Sequence, residues 1–142
     1  MNLRGLVAVT GKPGLFKLIG QNKNGFVIES LDNQRVRHVV NLSTTKMATL
    51  EDITIFGEDD EEIKLIRVFE TIKSRDEALP DAKSDGKTLR AFFHEVAPGH
   101  DETRVYASDI KKIINWYNTI KDLPLFDEPE PEPLEAEGQA VN

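Results

Sequence analysis

The chain has 142 residues, 39% of them apolar, and 18 Lys+Arg against 25 Asp+Glu give it a net charge of −7. That is enough material for one respectable core or two small ones sharing an interface. The absence of cysteine excludes disulfides, thiol catalysis and every cysteine-ligated metal centre. Charge is unevenly placed: residues 1–57 carry 7 Lys+Arg against 4 Asp+Glu, residues 58–126 carry 11 against 15, and residues 127–142 carry six acids and no base. A mildly basic first part is thus followed by an acidic second part and an acidic end.

In chain order, the first apolar run is Leu6 to Val9, a predicted strand too short for a signal-peptide core. Lys12-Pro13-Gly14 reads as a turn. Three further runs, Leu15 to Ile19, Phe26 to Leu31 and Arg35 to Val40, are separated by Asn24-Gly25 and Asp32-Asn33 and predict a β-meander, with Asn24-Gly25 as the positive-φ pair of a tight hairpin. Asn41 to Thr49 is polar enough for a loop, and Ile53 to Phe56 has the β-branched density of a closing strand. Apolar residues fall on both faces, as at Leu15-Phe16, so the sheet needs a cover or closure into a barrel.

The second part reads as helical. Glu58 to Glu62 precedes Ile63, Ile66, Phe69 and Ile72 at helical spacing, and acids favour a helix N-terminus, so a covering helix is predicted over 58–74. A polar linker with Pro80 follows over 75–86. A helical segment over 87–124 divides into Lys87 to Val96, stopping before Pro98-Gly99, and a longer helix with Ser108 as cap, the stripe Tyr106, Ile110, Ile113, Ile114, Tyr117 and Ile120, and Pro124 beyond its end. Residues 125–142 have too little apolar content to offset their ordering entropy and are expected to form a disordered acidic tail.

Chemistry-bearing motifs are few. His94 and His100 stand six apart with Pro98-Gly99 between them, whereas a helical metal pair needs one turn; Asp101 and Glu102 would complete a hard-ligand cluster, but no metal site is expected. Gly86-Lys87-Thr88 matches the end of a phosphate loop, yet Asp81 stands where its first glycine is required. Asp81 to Gly86 imitates the front of a calcium loop, but Lys83 replaces an oxygen ligand and Phe92 the bidentate acid. No serine sits in a nucleophile elbow, so no catalytic residue and no cofactor are assigned. Lys12, Lys17, Lys23, Arg35, Arg37 and His38 are the candidates for a ligand surface on the β-domain, Arg35 and Arg37 falling on one side of their strand by alternation. Lysines also keep sheet edges from pairing, which accounts for the same pattern without a ligand. Trp116 lies off the stripe of its helix and is the candidate partner contact, facing the β-domain or a partner.

GKPGLFKL, GFVIESLD, LEDITIF and YASDIKKIINWYN together resemble a family of small uncharacterised bacterial proteins, in which one domain of unknown function is followed by a second; the resemblance spans Leu3 to Lys121. It implies a two-part organisation and a bacterial cytoplasmic setting, and no active site. The expected fold is therefore α+β: a small antiparallel SH3-like β-barrel or curled sheet over 1–57, then three helices and the tail. The expected function is non-catalytic binding of a protein partner, away from membranes, with RNA as the second reading and a small hydrolase or metal protein as the third.

Overall fold

Strands β1 (Leu6–Val9), β2 (Lys12–Asn22), β3 (Gly25–Ser30), β4 (Arg37–Val40) and β5 (Met47–Thr49) form one antiparallel sheet in the order β4-β3-β2-β1-β5. They come from a computed structural model that describes residues 1–31, 34–41, 43–75 and 77–131. The two edges, β4 and β5, do not pair with each other, so of barrel and curled sheet it is the open form that is found. The meander register follows the alternation: Val7 faces Phe16, Phe16 faces Ser30, and Ile28 faces His38 across successive strands. Asp32-Asn33, expected to end β3, lies outside the described residues.

Five local expectations are corrected. Lys12-Pro13-Gly14, read as a turn, already belongs to β2, whose Lys12 pairs with Val9. Met47–Thr49, read as loop, pairs with β1 through Val9–Met47 and Val7–Thr49, an edge strand specified by backbone pairing more than by composition. The chain after Asp32-Asn33 is not yet a strand at Arg35, which has φ +48; β4 begins at Arg37. Ile53 to Phe56 does not close the sheet: β6 (Thr54–Phe56) forms a separate hairpin with β7 (Glu62–Lys64). The acidic run that was expected to open a helix is the turn of that hairpin, Asp59 and Asp60 taking φ of +56 and +63, conformations aspartate tolerates better than most residues.

Helix α1 therefore starts at Leu65 and runs to Ser74. Helix α2 (Gly86–Val96) begins where Asp85 Oδ1 accepts the Thr88 amide at 2.8 Å. Helix α3 (Ala107–Ile120) starts one residue before the expected cap, Ser108; there the Tyr106 amide donates to Asp109 Oδ2 at 2.9 Å. After Pro124, residues Leu125 and Phe126 pack against the core, so the packed chain extends past the expected tail boundary at 125; residues 132–142 lie outside the described residues.

Two apolar clusters result. Val7, Val9, Phe16, Ile28 and Val40 share one face of the sheet. The main core joins Leu6 and Leu15 of the opposite face, Met1, Leu3 and Leu50 to the buried stripes of all three helices. The sheet's second face is covered in this way by the helices, with α3 against β2 and α1 against the single turn Leu50–Asp52. Among the described residues no helix is long and apolar enough to cross a membrane.

Candidate functional site

The β1–β2 turn, strand β5 and one side of α3 enclose a cleft of about 970 Å³. Its position follows from the sequence: the β1–β2 connection is tight, β5 pairs only along Val7 to Val9, and α3 crosses β2, leaving a trough between them. Three lysines, Lys12, Lys46 and Lys112, line it, and among the described residues no aspartate or glutamate does. In a chain of net charge −7 that is a local reversal of sign. Thr10, Thr45, Asn115 and Thr119 add neutral hydrogen-bonding groups, and Trp116 supplies an aromatic wall.

Trp116 is half-buried, packs at the border of the main core and turns toward the sheet, one of the two directions open to it from sequence. It also borders a smaller depression of about 210 Å³ beside β6. There the Arg104 guanidinium lies 4.7 Å from the centroid of the exposed Phe56 ring.

The six predicted ligand residues do not form one surface. Lys12 lies in the cleft. Lys17 and Arg37 flank Glu29 in one cross-strand row, and Arg37 Nε pairs with Glu29 Oε2 at 3.2 Å, so an acid interrupts the basic row. Lys23 sits in the β2–β3 hairpin loop, and Arg35 precedes β4 instead of sharing a side with Arg37. His38 points to the other face, its ring edge-on to Phe16 at 6.1 Å. Lys46 and Lys112 were missed because they are 34 and 100 residues from Lys12 in the chain; only the fold brings them together.

The other histidines do converge. His100 is 1% exposed and its ring centroid is 4.9 Å from that of His94, whose Nε2 contacts Glu102 Oε1. The turn through Pro98 and Gly99, with Gly99 at φ +88, folds the chain back and makes good a spacing too long for one helix. Asp101 stays apart: the Thr103 hydroxyl and amide, then Arg104, hold its carboxyl down at about 2.

An open antiparallel sheet backed by three helices, with a lysine-lined cleft between the layers, defines an α+β protein in two sequence parts. Family models agree on those parts: a domain of unknown function (DUF5606) matches residues 3–50 and a second (DUF6852) residues 53–120. A solution NMR structure of a Bacteroides vulgatus protein, from a structural genomics consortium, is 37% identical, with a TM-score of 0.62 over 83% of this chain and 84% of that one. The chain belongs to this family of two-part bacterial proteins. No curated protein matches it.

Proposed function

We propose that this is a non-catalytic, cytoplasmic binding protein whose cleft between sheet and α3 receives an acidic segment of a protein partner. The observation that carries the reading is the lining, which among the described residues has three lysines, no carboxylate and one tryptophan. Lysines attract carboxylates over a range set by the screening length, while Trp116 and the methylenes of the lysine stems contribute apolar contact. An extended segment carrying Asp or Glu together with an aliphatic or aromatic side chain fits both features. The interrupted basic row on the sheet gives RNA no comparable track, because Glu29 sits between Lys17 and Arg37.

Trp116 is the sole tryptophan, so its fluorescence reports directly on the cleft. The full chain is titrated with a peptide of alternating Glu and Leu, and separately with single-stranded RNA of the same charge, over a range of salt. Peptide binding should saturate, and Lys12→Glu combined with Lys112→Glu should weaken it at least tenfold with the melting temperature unchanged, since exposed charges contribute little to stability. Tighter binding of RNA than peptide at physiological salt would transfer the cleft to nucleic acid. Failure of both to perturb Trp116 would remove the reading.

A further inference from the structure

We propose that His94, His100 and Glu102 form a binding site for a divalent transition metal, zinc by its donor set, with one coordination position left open. The three side chains each bring a ligand atom, and these lie within 4.8 Å of one another. Two imidazoles and one carboxylate are the donors that zinc and its first-row neighbours take, whereas calcium and magnesium call for oxygen throughout.

His100 distinguishes this cluster from a surface pair. Its Nδ1 lies 2.8 Å from the Ala97 carbonyl, which only accepts, so Nδ1 carries the proton. In the neutral ring Nε2 is then a bare lone pair. That atom is buried and, among the described residues, has no hydrogen-bond partner. A buried acceptor left unpaired is costly, and a histidine whose other nitrogen is fixed by a backbone carbonyl is the ordinary arrangement of a metal ligand.

The frame around it is rigid. The His100 amide donates to Ala97 O at 3.1 Å, and its strand-like bridge to Gly57 is flanked by Glu58 N to Gly99 O at 2.8 Å and Asp101 N to Phe56 O at 2.8 Å. Phe93 packs edge-on against the ring at 4.7 Å, excluding water from one side. His94 and Glu102 are more than half exposed, so both can adjust. A tetrahedral ion with ligands near 2.0–2.2 Å needs donor atoms about 3.3–3.6 Å apart. The ion would open the His94–Glu102 contact slightly and draw both atoms toward the fixed Nε2. A simple tie between His94 and Glu102 would leave the buried Nε2 of His100 without a partner among the described residues. The site shares no residue with the lysine-lined cleft and stands independently of it.

The test uses the full chain without a polyhistidine tag, stripped with chelator and titrated with zinc chloride against a chromophoric competitor. Imidazole nitrogen resonances are followed by NMR, with His38 as internal reference. One equivalent should bind, the His94 and His100 resonances should shift while that of His38 stays, and the metal-free His100 should show its proton on Nδ1. His94→Ala and Glu102→Gln alter exposed side chains that the fold does not need, and each should weaken zinc at least tenfold. Absence of saturable binding, less than a tenfold loss in either variant, or a shift confined to His38 would overturn the site.

Discussion

Gly25 closes the β2–β3 hairpin where another backbone passes almost in contact with it. The sequence pair Asn24-Gly25 was expected to share the positive φ of a two-residue turn; instead Asn22 pairs with Gly25, Lys23 and Asn24 form the loop, and Gly25 alone is at φ +145. The Asn22 side chain accepts the Asn24 amide at 2.8 Å, a local bond that sets the turn. A Cβ on Gly25 would stand 2.0 Å from the Val40 carbonyl oxygen and 2.9 Å from its carbon. Neither is the end of a flexible side chain, so β4 would have to leave β3. Gly25→Ala should therefore cost about 3 kcal/mol or more, the sum of a strained φ and a lost edge strand. Gly20→Ala, with open space around it, should stay within about 0.5 kcal/mol. Chemical denaturation of the two variants checks this, and equal stabilities would show that β4 is free to move.

At the level of elements, helices were the most legible part and hairpin pairings the least. Of the stripe, Ile110, Ile113, Ile114, Tyr117 and Ile120 are buried as their spacing requires, whereas Tyr106 is the exposed N-cap. By contrast Ile63, Ile66, Phe69 and Ile72 fit helical spacing, yet Ile63 lies on β7; a short run satisfies both periods, and only pairing with Ile55 decides. The candidate site was legible in its single residues, Lys12 and Trp116, but not in their meeting across the sheet and α3, since nothing local encodes that contact. The same holds for His94 and His100, whose approach depends on the direction of one turn. The N-cap of α2, which was not singled out from the sequence, has a pH signature. The Asp85 cap of α2 is held below the ordinary carboxylate range by the Thr88 hydroxyl and amide. With its folded pKa lowered, Asp85 stabilises above the unfolded value near 4 and loses that contribution as pH falls through the folded one. Asp85→Asn should thus lower the melting temperature at neutral pH, and the gap to the natural chain should narrow steadily from pH 5 downward. A gap that stays constant over that range would mean the carboxylate charge does not support the helix.

Across the whole molecule, one core draws on both sequence parts, so the cleft between sheet and α3 is held by the same burial that holds the fold. The acidic end begins on that frame. Lys73 Nζ pairs with Asp127 at 3.1 Å and donates to the Phe126 carbonyl at 2.8 Å, Asn2 donates to Glu128 at 3.1 Å, and Arg67 pairs with Glu130 at 3.0 Å. These exposed contacts are individually weak, but together they hold the chain from Phe126 to Glu130 against the fold. Residues 132–142 carry Glu132, Glu135 and Glu137 and no base, and carboxylates on the same chain as a lysine-lined cleft can compete for it at an effective concentration of the order of millimolar. A partner's acidic segment then competes with the chain's own. Ending the chain after Pro131 keeps every contact above, so the melting temperature should not move, while the acidic peptide should bind the cleft several-fold more tightly. The gain should be largest at low salt and vanish toward about 1 M, where the screening length is only about 3 Å. Equal affinity of the full and shortened chains at low salt would show that the acidic end does not reach the lysines, and a gain that persists at high salt would place the competition in apolar contacts with Leu134 instead of in charge.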